Sequence, residues 1–214
     1  GTYPSSLLVD SSDNIYISIH SRNNILYSGI VVHEISQSTI AHSGGSNSDV
    51  FLLKINSSGD FLWGKNLGTS SGNEYHKASI LDSENNYYLV TGITSSYNGL
   101  THIGSSDIVV IKHNSSGDHQ WSRQIGTSSS DTAYKIALDK DNNIYIAGTS
   151  YGNVGNQTNN GEQDIYLVKL NSSGTTVWEK LYGSDQNDAA LGGIAVDSLG
   201  NINVVGERTL HTPS

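Results

Sequence analysis

Three carboxylates recur in phase along the chain. Glu74, Asp131 and Asp188 are spaced 57 residues apart, each just ahead of a short run of small and apolar residues. Like charges gathered at one place repel unless a cation compensates them, so one reading of Glu74, Asp131 and Asp188 is a weak metal site, with Ca²⁺ as the candidate ion. The other reading is local: each carboxylate accepts hydrogen bonds from turn amides of its own unit. A second acidic set, Asp10/Asp13, Asp82/Glu84 and Asp139/Asp141, resembles pieces of calcium loops. It lacks the spacing and the closing Glu of an EF-hand, and turn-forming Asx side chains account for it.

Other matches to reactive motifs do not survive their context. Gly68-Thr-Ser-Ser-Gly72 and Gly148-Thr-Ser-Tyr-Gly152 spell Gly-x-Ser-x-Gly, but a nucleophile elbow needs a following helix and none is predicted. His33-Glu34 begins a zinc-protease string, yet position 37 is Gln where a second His is required. The eight histidines share no repeat phase, and nothing orients His76, His113 or His119 toward a common partner. There is no Cys, which removes thiolate and disulfide chemistry. No catalytic residue is assigned, and the chain reads as a non-enzyme.

The elements that carry these residues are copies of one another. Asp49-Val-Phe-Leu-Leu-Lys-Ile-Asn-Ser-Ser-Gly-Asp-Phe-Leu-Trp63 returns as Asp107-Ile-Val-Val-Ile-Lys-His-Asn-Ser-Ser-Gly-Asp-His-Gln-Trp121. It returns again as Asp164-Ile-Tyr-Leu-Val-Lys-Leu-Asn-Ser-Ser-Gly-Thr-Thr-Val-Trp178. A fixed period of this size means one supersecondary unit repeated, each copy burying its apolar faces against its neighbours. Each unit predicts four strands. A short first strand (Lys77-Ala-Ser-Ile-Leu, Lys135-Ile-Ala-Leu, Gly193-Ile-Ala-Val) ends in an Asp/Asn turn. A second strand follows (Ile15-Tyr-Ile, Tyr87-Tyr-Leu-Val, Ile144-Tyr-Ile-Ala, Ile202-Asn-Val-Val), and then a long loop. The third strand is apolar throughout (Val50–Leu53, Ile108–Ile111, Ile165–Val168), which predicts burial on both faces. An Asn-Ser-Ser-Gly turn leads to a fourth strand bearing the Trp. Four antiparallel strands covered on both faces describe a β-propeller blade. The prediction is an all-β fold of about three and a half blades. Blade 1 spans about 7–67 with an insertion at 22–48, blade 2 about 75–125, blade 3 about 132–181, and a half blade 4 about 190–207.

The units resemble the bacterial SBBP-type beta-propeller repeat, seven-bladed by its name, on the strength of Gly193-Ile-Ala-Val-Asp197, Asn143-Ile-Tyr-Ile-Ala-Gly148 and Asp164-Ile-Tyr-Leu-Val-Lys-Leu-Asn171. The resemblance covers most of the chain except Arg22–Ser48 and the tail after Glu207. It implies an exported bacterial protein, extracellular or at the cell surface, of a kind that includes lipoproteins. It supplies no shared catalytic residues. In such a fold the first strands lie nearest the axis, which would set Glu74, Asp131 and Asp188 at one mouth of the channel.

Charged residues make up 14% of the chain, against about 25% in an average soluble domain, and the net charge is −9. No electrostatic term favours nucleic acid or an anionic membrane. Eight of the 11 basic residues fall at repeat-equivalent positions (Lys54, Lys112, Lys169; Lys65, Arg123, Lys180; Lys77, Lys135) and form no patch. Lys65, Arg123 and Lys180 are expected to lay their stems across the neighbouring indoles. The loops between second and third strands, Arg22–Ser48, Ser95–Ser106 and Ser150–Gln163, differ while the strands agree. They are therefore the expected contact surface of a protein-binding or structural scaffold, with Tyr97, His102, Tyr151 and Asn153 as candidate ligand residues. A glycan-binding propeller is the second reading, and a hydrolase or lyase at the channel mouth the third. An open half-ring would expose apolar faces, so the expected partner is the remainder of a longer propeller or another copy of the chain.

Overall fold

The computed structural model describes residues 3–23, 25–26, 39–41, 47–69 and 72–209. It is all β among those residues. The strands are β1 Tyr3–Val9, β2 Ile15–Ser21, β3 Ile25–Leu26, β4 Thr39–Ile40, β5 Asp49–Ile55, β6 Phe61–Asn66, β7 Glu74–Leu81 and β8 Tyr87–Ile93. They continue as β9 Asp107–His113, β10 His119–Ile125, β11 Asp131–Leu138, β12 Ile144–Ser150, β13 Asp164–Leu170, β14 Thr176–Tyr182, β15 Asn187–Val196 and β16 Ile202–Thr209. Three four-stranded sheets result, in the orders β1-β2-β5-β6, β7-β8-β9-β10 and β11-β12-β13-β14. A two-stranded sheet β15-β16 follows them, and β3-β4 form a separate small ribbon. All pairings within the larger sheets are antiparallel. The segment Ile30–Ile35, the His33-Glu34 string and the centre of the first Gly-x-Ser-x-Gly lie outside the described residues.

Two turns per sheet are built with one device. Asp10, Asp82, Asp139 and Asp197 each use Oδ1 to accept the amides two and four residues on. The residue three places on then adopts a left-handed conformation: Asp13, Asn85, Asn142 and Gly200, at φ between 58° and 84°. Asn56, Asn114 and Asn171 repeat the pattern between third and fourth strands, with Gly59, Gly117 and Gly174 left-handed. Asx side chains mimic a backbone turn and tolerate these angles, which is why the sequence places them there. The chain has four Asn-x-Ser/Thr strings of the N-glycosylation pattern, at Asn56, Asn114, Asn156 and Asn171, and the turns give all but Asn156 a structural explanation.

The register breaks at matching places. The fourth strands slip beside their tryptophans, between Lys54 and Ile55, between His119 and Trp121, and between Lys169 and Leu170. The first strands slip between His76 and Ala78 and between Ala133 and Lys135. Bulges bend and twist the strands that hold them.

The core shows that the sheets stack face to face. Side chains alternate along a strand, and here the two parities serve different neighbours. Tyr87, Leu89, Val109 and Ile111 pack with Tyr16, Val50 and Leu52 of the first sheet. Their neighbours Tyr88, Val90, Ile108 and Val110 pack with Ile144, Ile146, Tyr166 and Val168 of the third. The continuous apolar runs of β5, β8 and β9 are buried on both faces as a result. First strands of successive sheets touch in series, β1 with β7, β7 with β11 and β11 with β15.

Candidate functional site

The recurring acids sit at the junctions between sheets. Thr127 donates to Asp131 Oδ2 from its amide at 2.6 Å and from its hydroxyl at 3.1 Å. Ser184 does the same for Asp188, at 2.7 and 2.8 Å, and the Thr69 hydroxyl donates to Glu74 Oε1 at 2.7 Å. The amides of the acids reach across to the preceding sheet: Glu74 to Ser48 O, Asp131 to Ser106 O and Asp188 to Gln163 O, at 2.8–3.0 Å. Each acid therefore fastens one sheet to the next.

A second acid, absent from the sequence-based site, shares each junction. Asp49, Asp107 and Asp164 open the third strands and are fully buried. Asp107 accepts from the Ile103 amide at 2.8 Å and from Gln124 Nε2 at 2.7 Å. Gly68, Gly126 and Gly183 leave room for these carboxylates, because a Cβ there would meet side-chain atoms of Asp49, Asp107 or Asp164 at 2.1–2.7 Å. Burial, with Asp49 nearby, pushes Glu74 up to about 7. Asp131 is raised by burial too, with Asp107 adding to the effect. Glu74, Asp131 and Asp188 are each buried in their own junction and tied to turn donors, the arrangement that the second, local reading of these carboxylates expects. Among the described residues no group of three or more His, Cys, Asp or Glu is placed to hold a metal ion. The signal for the second acid was present, since Asp49, Asp107 and Asp164 head the quoted repeat and a Gly follows each fourth strand at the same period.

Aromatic columns occupy the opposite ends of the sheets. Lys54, Lys112 and Lys169 lie over the rings of Tyr16, Tyr88 and Tyr145, 4.6–5.0 Å from the centroids. The same ammonium groups approach Asp10, Asp82 and Asp139 at 3.1–4.0 Å. Each Tyr meets the Trp of its own sheet edge-on: Trp63, Trp121 or Trp178. Burial alone would raise Asp139, but Asn143, Tyr145 and the Asp141 amide hold it below the usual carboxylate range. Asp139→Ala removes an acceptor of four hydrogen bonds and is expected to cost roughly 3 kcal/mol in urea unfolding. Tyr145→Phe, which loses one of them, is expected to cost about 1 kcal/mol.

The candidate ligand residues separate. Tyr97 is 1% exposed, and its hydroxyl donates to Leu67 O at 2.9 Å. Its ring packs in the core between the first and second sheets, so it is chiefly a packing residue. Its counterpart in the next loop is Val154, not Tyr151, because the bridges Tyr97–Leu100 and Val154–Gln157 coincide. His102 Nε2 lies 3.5 Å from Asp107 Oδ2, and Asn153 Oδ1 accepts from the Asn159 amide at 2.9 Å. Tyr151 is 51% exposed and Ile103 53%. Both loops lean on the inter-sheet connection, through Ser105 N to Ser129 O and Tyr151 N to Ser130 O.

One spot breaks the repeat. The cross-strand pair that is Ile55–Phe61 in the first sheet and Leu170–Thr176 in the third is His113–His119 in the second. The two rings meet edge-on at 5.6 Å. They line a cavity of about 310 Å³ together with Lys65, Tyr97, Asn98 and Asp118. Burial, with His119 and Lys65 adding repulsion, drives His113 down to about 4.

Stacked four-stranded antiparallel sheets with these inter-sheet fastenings define a propeller-type repeat protein. Residues 120–156 match the family model described as Beta-propeller repeat, SBBP, and the chain carries that repeat. It is also 21% identical over 151 residues to the regulatory protein FlaEY of Caulobacter vibrioides. That alignment takes in 64% of this chain and 16% of FlaEY, so the chain spans about a sixth of the relative's length.

Proposed function

We propose that the chain is a non-catalytic propeller segment of an exported or surface-attached bacterial protein, binding a protein partner through one rim. The observation that carries this is a division of labour. The polar side chains that recur in phase hold turns, columns and junctions together, whereas the departures from the repeat fall in the loops around Ile103 and Tyr151 and in the His113–His119 cavity. Rigid repeats with variable loops are how binding scaffolds are built. The repeat itself argues for an exported protein by resemblance, and for a place within a larger ring closed by further blades of the same chain or by another copy.

A photo-crosslinking residue placed at Tyr151 or Ile103, in extracts of the source bacterium, should yield a discrete protein adduct. The same residue at exposed Leu199, in the turn between β15 and β16, should not. Equal labelling at all three positions would end the rim reading. The glycan reading has its own support in the polar cavity. Saturable binding on a glycan array that is lost in the His113→Leu/His119→Thr double variant, which installs the third sheet's own pair, would favour it.

A further inference from the structure

We infer that the cavity around His113 and His119 is a binding site for a divalent ion of the imidazole-seeking class, Cu²⁺, Ni²⁺ or Zn²⁺, held by the two imidazoles with water in its remaining positions. The inference goes beyond the rim reading and needs no protein partner. Its first support is a paired departure from the repeat. Cross-strand neighbours share one face of a sheet, and at this place the other complete sheets carry Ile55–Phe61 and Leu170–Thr176. The unit therefore folds without imidazoles here, and packing does not account for two of them together. The second support is an unmet ring nitrogen. His113 is 4% exposed, and its Nδ1 is buried with no hydrogen-bond partner among the described residues. Such an atom costs stability while it stays unpaired, and a bound ion supplies the partner.

The third support is how the rings are held. His119 Nε2 lies 2.8 Å from Ser122 Oγ. With the proton on Nε2, that bond fixes the ring and leaves Nδ1 as a lone-pair donor, which is how metal-binding imidazoles are oriented. The two ring centroids are 5.6 Å apart, with the planes at 74°. Two imidazoles sharing a tetrahedral ion at N–metal distances of about 2.0–2.1 Å have centres about 5 Å apart, so a small side-chain adjustment closes the pair on an ion. Burial drives His113 down to about 4, so at neutral pH its ring is a neutral donor and no proton competes with the ion there. The Lys65 ammonium borders the cavity and opposes a cation, and the Asp118 carboxylate, also on its wall, offsets that. A volume of about 310 Å³ takes an ion with several waters of about 30 Å³ each. No third His, Cys, Asp or Glu is placed to ligate among the described residues, so the ion keeps open positions. Two imidazoles serve oxygen-seeking Ca²⁺ and Mg²⁺ poorly, and the affinity order expected is Cu²⁺ first, then Ni²⁺ and Zn²⁺, with Ca²⁺ far behind.

The test titrates the full chain with Cu²⁺, Ni²⁺ and Zn²⁺ in a buffer that does not chelate them. Calorimetry is expected to show saturable binding, with Ca²⁺ weaker than Zn²⁺ by about a hundredfold or more. Cu²⁺ should also quench part of the tryptophan emission, because Gly117 on the cavity wall is seated on Trp63, where a Cβ would lie 3.0 Å from the indole. The double variant His113→Leu/His119→Thr, which installs the third sheet's own pair, should weaken Zn²⁺ at least tenfold and remove the quenching. Ser122→Ala, which only releases the His119 ring, should weaken Zn²⁺ by about tenfold. If the double variant does not fold, Ni²⁺ broadening of the imidazole proton resonances in the unaltered chain decides, and it should be greatest at His113 and His119. Binding undiminished in a folded double variant overturns the inference. So does broadening centred on His20, His76 or another histidine, or the absence of saturable binding by any of the three ions. Crosslinking at Tyr151 and Ile103 uses no metal, so failure here and failure of the rim reading are separable.

Discussion

Gly174→Ala is expected to destabilise the chain by about 3 kcal/mol, and Gly59→Ala by only about 1 kcal/mol, although the two glycines occupy the same place in the same turn. Both are left-handed, at φ 80° and 88°, so both substitutions carry the roughly 1 kcal/mol or more that an L side chain costs there. They differ in what the new methyl meets. At Gly174 it would lie 2.9 Å from the Trp121 ring and 3.1 Å from Arg123 Cγ, whereas at Gly59 no described atom is within 4 Å. Forcing a methyl into a packed contact typically adds 1–3 kcal/mol. Gly117→Ala should behave as Gly174→Ala does. Urea unfolding of the three variants measures the difference directly. Equal costs would mean that the turn does not press on the indole.

The repeat made much of this architecture legible. The Asp and Asn that recur ahead of Gly or Asn encode both turns, and the unbroken apolar runs of β5 and β9 encode burial on both faces. What sequence reasoning missed depended on register. Lys65 and Arg123 do lie beside Trp63 and Trp121, since a Cβ on Gly117 or Gly174 would meet both members of the pair within 3.1 Å, but the second set of cations, Lys54, Lys112 and Lys169 over Tyr16, Tyr88 and Tyr145, was not foreseen. A one-residue slip beside each Trp decides which side chains share a face, and a bulge leaves no mark in the hydrophobic pattern. The loops differ in sequence and offer no anchor for aligning Tyr97 with its counterpart in the next loop. The bridge that makes Val154 its counterpart is a backbone feature. The junction acids were found by period alone, but their role depended on Asp49, Asp107 and Asp164, which are distant in sequence.

Glu74→Gln should raise stability at pH 8 by about 2 kcal/mol and remove the loss of stability that Glu74 contributes between pH 4.5 and about 7. Glu74 titrates near 4.5 when unfolded and about 7 in the fold. The folded state therefore holds its proton more tightly, and the stabilisation is complete below pH 4.5 and lost as pH rises through 7. A shift of that size corresponds to roughly 3 kcal/mol. Asp131, raised by burial, has the same sign. His76 and His113 work the other way. Burial lowers each from 6.5 to about 4, so their contribution is whole above pH 6.5 and is lost as pH falls toward 4. Two histidines outweigh one glutamate between pH 4.5 and 6.5, which sets the stability maximum near pH 6 to 7. In Glu74→Gln the Thr69 hydroxyl keeps an acceptor, but the new amide sits where Oε2 has no hydrogen-bond partner, which is why the gain falls short of the full shift. His113→Leu should roughly halve the acid limb, since Leu170 fills the same position in the third sheet. Thermal melts of the three proteins from pH 4.5 to 8.5 check both slopes. A parallel offset of the Glu74→Gln profile, with its shape unchanged, would show that the carboxyl is ionised throughout and that the junction pays no penalty for burying it.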